Sequence, residues 1–171
     1  MSSTSLATII ARDLRALRRE IEAYPDEAAI WEMPVGLPNS AGVLVRHLCG
    51  NLRHFVGGVM GDTGYRRDRP AEFESPPTPR VALLADIAAT EQAVRSALGR
   101  LPAEQLTERY PVIVDGQELV AGDFLIHLAV HLGFHLGQVD YHRRTVTGNK
   151  VSMAPMAIPE LASARPGRDT G

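Results

Sequence analysis

The stretch "HLAVHLGFHLGQVDYH", residues 127–142, contains four of the six histidines of a 171-residue chain. These histidines are separated by four, four and seven residues, and leucines recur between them. On an α-helix, residues spaced by three, four or seven positions lie on the same face. The spacing therefore predicts one long amphipathic helix over about residues 121–146, in which a polar stripe runs beside an apolar stripe.

The two stripes of this helix divide its histidines from its leucines. The polar stripe consists of His127, His131, His135, Gln138 and His142, and the apolar stripe of Leu128, Leu132, Leu136 and Val139. The apolar stripe predicts the face that packs in the core. Asp140, Arg143 and Arg144 fall on other faces, where we expect them to contact solvent.

Three earlier segments also show the helical period of apolar residues: 5–23, 39–61 and 78–100. Ser5 or Thr4 is predicted to cap the first helix, and Asn39 or Ser40 the second. Three prolines between residues 24 and 42 predict a long connection between these two helices. The β-branched "YPVIV" followed by Asp115-Gly116 predicts a small hairpin or an extended loop before the last helix.

Four long helices joined in this way predict an all-α protein with the architecture of a four-helix bundle. We assign residues 1–149 to this domain. Residues 150–171 are rich in Gly, Pro, Ser and Arg, and we expect them to form a loose C-terminal tail.

The second helix has a polar stripe of its own, formed by His47, Asn51 and His54. Facing polar stripes are how helical bundles build metal sites in their cores. Histidines one turn apart can share an ion, which leaves the pairs His127/His131 and His131/His135 open. His47 and His54 lie about 10.5 Å apart along their helix, so only one of them can complete the site.

The segments "NSAGVLVRHLCGNLRHFVGG", "RDRPAEFE" and "DGQELVAGDFLIHLAVHLGFHLGQV" resemble the DinB-like superfamily of four-helix metalloenzymes. The resemblance implies that three histidines, His47, His131 and His135, bind a divalent ion, zinc or nickel. It places Gln138 behind the ligands, with Asn51 and His127 as neighbours of the site. His54 is likewise a neighbour of the site without a ligand role, and a lone histidine such as His54 or His142 is expected to bond a carbonyl group.

Relatives of that superfamily include thiol transferases and a thiol-dependent isomerase, and members are often homodimers. The resemblance thus implies a metal-dependent transferase or isomerase that acts on a small molecule, with a low-molecular-weight thiol as co-substrate. A non-catalytic metal-holding stress or interaction protein is the alternative, and a metal-dependent hydrolase is a second one. Hydrolysis is disfavoured because the residues between His131 and His135 lack the glutamate of zinc proteases, and no other carboxylate can be assigned to the stripe.

The composition of the chain bears on nucleic-acid binding, membrane binding and disulfide formation. The 18 basic and 20 acidic residues give a formal net charge of −2, which predicts neither a nucleic-acid partner nor binding to an anionic membrane. The single cysteine, Cys49, excludes an internal disulfide, and we expect a packing role for it in a cytoplasmic protein. The loop "GYRRDRPAEF" is interpreted as a solvated charged segment held by ion pairs, with the binding of an anionic co-substrate as the alternative.

Overall fold

The computed structural model describes residues 2–167 and confirms an all-α fold. Its six α-helices are α1 (Ser3–Glu22), α2 (Glu27–Trp31), α3 (Ala41–Leu52), α4 (Arg69–Glu74), α5 (Arg80–Gly99) and α6 (Ala121–Thr147). A π-helical segment, Arg53–Met60, continues α3, and short 3-10 helices lie at Ala103–Thr107 and Ile158–Glu160. The described residues contain no strand, only two isolated bridges.

The four long helices pack as the corners of a square. Helix α1 contacts α5 and α6, and α3 contacts the same two helices, so that α1 lies diagonally opposite α3. Leu17, Leu48, Val94 and Leu132 meet in the core and are fully buried. Because α3 and α6 are neighbours, their polar stripes come to the same interface.

Helix starts follow the capping rules, with one shift from the sequence prediction. The Ser2 hydroxyl accepts from the Ser5 amide at 3.1 Å and caps α1, so the choice of Ser5 or Thr4 was wrong. Helix α1 begins at Ser3, which is buried and whose hydroxyl donates to the Leu101 carbonyl at 2.9 Å. Ser40 caps α3 as predicted. The long connection contains α2, whose N-terminus is capped by Asp26.

The second half of the predicted second helix is π-helical, which its sequence did not reveal. The Gly61 amide donates to the Val56 carbonyl at 3.0 Å, one residue farther back than in an α-helix. A side chain at Gly61 would overlap the methyl group of Ala97 on α5. Glycine therefore permits the close approach of this segment to α5.

The connection before α6 is a tight hairpin turn. Val114 and Gln117 exchange two backbone hydrogen bonds, of 3.0 and 2.9 Å. Asp115 and Gly116 between them both have positive φ, 48° and 77°. Such a pair forms a turn of type I′, as the Asp-Gly signal predicts. The Tyr110 hydroxyl donates to the Phe55 carbonyl and attaches this connection to the π-helical segment.

The C-terminal end of α6 corrects the expectation of solvent at Arg143 and Asp140. Both residues are buried, and Arg143 is fully enclosed in an ion pair with Glu20 of α1. Arg143 also donates to the carbonyl groups of Asn149 and Val151. The chain after α6 folds back over this face, which the helical period of α6 alone does not show. Residues 150–167 also contact α1, where Arg19 donates to the Met153 carbonyl.

Within residues 2–167, no helix combines the length and the apolar character needed to cross a lipid bilayer.

Candidate metal centre

Three histidines from two helices converge at the interface between α3 and α6. His47 of α3 and His131 and His135 of α6 each offer a ring nitrogen, and these three nitrogens lie within 4.8 Å of one another. The Nε2 atoms of His47 and His131 are 3.2 Å apart. The ring centroids of the three pairs are separated by 4.6 to 5.3 Å. Of the pairs that the sequence left open on α6, the structure therefore brings together His131 and His135.

The separation of the two Nε2 atoms matches the coordination sphere of one ion. Nitrogens at about 2.0–2.1 Å from a metal, at angles of about 90–110°, lie about 2.8–3.4 Å apart. The same distance also fits a hydrogen bond between two neutral imidazoles. The third imidazole is the feature that favours an ion, because His135 also offers a ring nitrogen within 4.8 Å of the other two, which a hydrogen-bonded pair does not require. The donor set of three imidazoles fits a divalent transition metal.

The other nitrogen of His47 is held by a carboxylate. Nδ1 of His47 donates to Glu72 of α4 at 3.1 Å, which leaves the Nε2 lone pair directed at the cluster. Both carboxylate oxygens of Glu72 also accept hydrogen bonds from Arg67, Oε1 from Nε at 2.6 Å and Oε2 from Nη2 at 2.7 Å. Metal-ligating histidines usually donate their second N–H to such a partner, which fixes the tautomer and the orientation of the ring.

This carboxylate corrects two sequence interpretations. The ion pair expected in this segment forms between Arg67 and Glu72, but it is not solvated, because the two side chains are only 12% and 6% exposed. A carboxylate does reach the cluster, although from α4 and not from a histidine helix. Burial disfavours its charged form, but hydrogen bonds from Arg67 and His47 outweigh burial and lower the pKa of Glu72. A methyl group at Gly50 would overlap Oε1 of Glu72, so glycine there admits α4 to this position.

His135 is oriented by the glutamine that the family motif singles out. Nδ1 of His135 donates to Oε1 of Gln138 at 2.6 Å, which leaves Nε2 of His135 free. Gln138 thus lies behind His135, one of the three histidines that the resemblance implies as ligands. His47 and His135 thus each have one nitrogen occupied by the protein and one available.

The surroundings keep two of the three histidines neutral. Burial, and then the neighbouring His135 and His47, lower the pKa of His131 to about 4. Burial and His47 also lower the pKa of His135. Both rings are therefore uncharged near neutral pH, and neutral imidazole is the form that ligates metals.

The remaining histidines lie outside the cluster. His127 is exposed and stacks on His131 with a centroid distance of 6.2 Å. His54 packs against Phe55, and its Nδ1 is buried without a partner among the described residues. His142 is buried and bonds the Glu32 carbonyl at 2.8 Å and the Tyr24 hydroxyl at 2.7 Å. The expected carbonyl bond is thus confirmed for His142, and the choice between His47 and His54 falls on His47.

Two cavities of different character flank the cluster along the groove between α3 and α6. One, of about 480 Å³, lies toward the hairpin and is lined by His47 and His131 together with Asn51, Arg69, Asp115 and His127. The other, of about 490 Å³, lies toward the C-terminal end of α6 and is lined by His135 with Leu37, Pro38, Leu44 and Tyr141. A metal at the cluster would be reached from a polar side and from an apolar side.

Cys49 is excluded from the chemistry of this site. It is 2% exposed, and burial raises the pKa of its thiol to about 12. It lies on α3 two residues from His47, on the face that meets α5 rather than α6, near Thr90. The packing role expected from the sequence agrees with this position, and any reactive thiol must come from a bound molecule.

The contact between Glu72 and His47 predicts a graded effect on metal affinity. Glu72→Gln removes the charge that orients His47 and pairs with Arg67, so we expect zinc to bind about 10–100-fold more weakly. Competition with a chromophoric chelator measures the change. Glu74→Gln is the matched control, since Glu74 is exposed on the same short helix. Equal zinc affinity in the two variants would show that Glu72 does not support His47.

Comparison with known proteins supplies one family match. A family model described as the DinB superfamily matches residues 9–139, which is more than half of the chain. This range includes the three converging histidines and Gln138. No curated protein and no solved structure matches the chain.

Proposed function

This chain belongs to the DinB superfamily, and on that premise we propose that it is a metal-dependent enzyme of the thiol-transferase or isomerase type. The observation that supports the proposal is the convergence of three imidazoles between two separate cavities. Three protein ligands with room for a further one are typical of catalytic metal sites. Zinc and nickel both accept this donor set.

The two cavities favour a reaction between two organic molecules. A divalent ion held by His47, His131 and His135 would stabilise a substrate thiol as the thiolate, which is its reactive form. In a transfer, the sulfur would bond to an electrophilic carbon of the second molecule, whose leaving group departs with the bonding electrons. The thiol proton passes to solvent. The protein's own residues would hold the two molecules on opposite sides of the cluster.

Hydrolysis is less well supported by the surroundings of the cluster. Among the described residues, the carboxylate that reaches the histidines is that of Glu72, and both of its oxygens accept from Arg67. Although burial opposes them, these hydrogen bonds lower the pKa of Glu72, and a carboxylate with a lowered pKa is a weak general base. A metal-holding role is the alternative, since the Arg67–Glu72 ion pair that orients His47 would also stabilise a metal site that catalyses no reaction.

A direct fluorescence assay of thiol conjugation tests the proposal. Zinc- or nickel-loaded protein is incubated with a panel of low-molecular-weight thiols and an electrophilic dye such as monobromobimane, and conjugate formation is followed by fluorescence. We expect a rate above that of the metal-free protein, and a return to the background rate in His131→Ala. Stoichiometric metal binding with no acceleration across the panel would instead favour the metal-holding role.

We further propose that the protein acts as a homodimer in the cytoplasm, where small thiols stay reduced. Helix α6 presents an exposed apolar stripe formed by Ile126, Val130, Phe134 and Tyr141, of which Phe134 is 63% exposed. Exposed apolar patches of this kind commonly mark interfaces. The stripe borders the histidine cluster, because the Phe134 ring lies 5.1 Å from that of His135 and Tyr141 lines the apolar cavity, so pairing would place the partner subunit beside the site.

The dimer is tested by one substitution on this stripe. Phe134→Glu places a charge on the proposed interface, and we expect sedimentation velocity to change from a dimer to a monomer. Gln92→Glu on α5 is the control, because Gln92 is also exposed. A wild-type protein that sediments as a monomer would contradict the proposal.

A further inference from the structure

The polar cavity beside the cluster contains two opposite charges that the protein leaves unpaired. Arg69 and Asp115 line this cavity of about 480 Å³, and both residues are exposed. The neighbouring Arg67 differs, because its guanidinium is bound at both ends by Glu72. Neither Arg69 nor Asp115 forms an ion pair with any residue between 2 and 167, although Arg69 lies over the Phe73 ring at 5.4 Å.

The wall between these charges and the histidines presents an unused amide. Asn51 is 8% exposed and lines the cavity one turn after His47 on α3. Its Oδ1 is buried and has no hydrogen-bond partner among the described residues. A buried amide oxygen without a partner is costly, so this position favours a bound molecule that offers a hydrogen-bond donor.

Arg69, Asp115 and the buried Oδ1 of Asn51 together favour a ligand that carries one positive and one negative charge. We propose that this cavity binds the α-amino-acid group of a substrate, with its carboxylate at Arg69 and its ammonium at Asp115. Arginine recognises carboxylates through paired N–H donors, and Asp115 is an acceptor for an ammonium group. Asn51 would accept from a donor closer to the histidines. The inference rests on the proposed function, and it makes one of the two substrates an amino-acid derivative.

The two charged side chains of the lining that are unpaired within residues 2–167 favour a dipolar ligand over a simple anion. Because Arg67 is paired with Glu72, Arg69 and Asp115 contribute the positive and the negative charge that stay unpaired among the described residues of the lining. A dianion would gain from Arg69 but would be repelled by Asp115. A molecule that carries both charges would gain at both ends.

Binding of thioethers tests the inference without requiring catalysis. The probes are S-methylcysteine, 2-(methylthio)ethylamine, which lacks the carboxylate, and 3-(methylthio)propionate, which lacks the ammonium. None has a free thiol that would extract the metal. Titration of ¹⁵N-labelled, zinc-loaded protein is followed by NMR. We expect S-methylcysteine to bind most tightly and to shift the side-chain amide of Asn51.

Two charge-removing variants give opposite patterns if the inference is right. Arg69→Gln should weaken S-methylcysteine by about fivefold and leave 2-(methylthio)ethylamine unchanged. Asp115→Asn should weaken S-methylcysteine by a similar factor and leave 3-(methylthio)propionate unchanged, while asparagine keeps the positive φ of the turn. Arg66→Gln is the control, since Arg66 is exposed in the same loop and does not line this cavity.

The outcomes separate the inference from the proposed function. Equal binding of all three probes, or no change in either variant, would overturn the amino-acid site even if zinc binds and thiols are conjugated. Selective binding of S-methylcysteine that depends on Arg69 and Asp115 would support the site even if the conjugation assay is silent.

Discussion

Protein purified without an affinity tag is expected to bind one divalent ion per chain, and His131→Ala is expected to lose it. His131 is one of the three converging histidines, and its Nε2 lies 3.2 Å from that of His47. Removal of a group that only hydrogen-bonds to a ligand weakens metal binding by up to about 100-fold. Loss of one of the three ligands should therefore reduce zinc affinity by more than about 100-fold. Metal analysis after dialysis, with zinc and nickel titrations, measures the change.

His127→Ala is the matched control for this result. It removes an imidazole one turn away on the same helix, and His127 is exposed and outside the cluster. We expect its zinc affinity to stay within a few-fold of wild type, and circular dichroism should show that both variants are folded. If both variants keep their metal, the three histidines are not the ligands. If neither variant nor the wild type binds metal, the cluster is a hydrogen bond between His47 and His131 with His135 beside it.

Arg143→Ala is expected to cause the largest loss of stability. The guanidinium of Arg143 is fully buried against the Glu20 carboxylate, and it also bonds Asp140 and two backbone carbonyls. Its removal leaves the Glu20 charge buried without a partner, which typically costs about 3–5 kcal/mol of unfolding free energy. For a chain of this size we expect Tm to fall by about 10 °C. Urea unfolding followed by circular dichroism measures the free energy.

The adjacent arginine provides the control for that effect. Arg144 also pairs with Asp140, but its side chain is 29% exposed. An ion pair of this kind contributes about 0–1 kcal/mol, so Arg144→Ala should change the unfolding free energy by no more than that. A double variant, Glu20→Gln with Arg143→Met, should recover part of the stability, because no unpaired charge remains. Similar losses in Arg143→Ala and Arg144→Ala would contradict a special role for the buried pair.

The helical period explains why the cluster could be predicted from the sequence. The spacing of four places His131 and His135 on one face of α6, and His47 lies on a stripe of α3 beside buried leucines. Periodicity left the choice among the histidines open, and the resemblance to the family selected His47, His131 and His135. The structure brings these same three together. The square packing of α3 beside α6 is what makes the two stripes meet.

The residues that sequence reasoning missed reach their partners through tertiary contacts. Glu72 lies 25 positions from His47 and arrives on a six-residue helix, α4, that lacks a strong apolar period. The Asp68 cap and Pro70 at the start of that helix were local signals that could have revealed it. Arg143 and Glu20 lie 123 positions apart, and the fold of the tail over α6 buries them. No local pattern contains that information.

The most direct test is a crystal structure of the untagged protein grown with zinc, with data collected on both sides of the zinc absorption edge. We predict one anomalous peak between α3 and α6, at about 2.0–2.1 Å from Nε2 of His47, His131 and His135. Nδ1 of His47 should still donate to Glu72, and that of His135 to Gln138. The absence of a peak at this position, or a peak held by other residues, would contradict a metal centre at the three histidines.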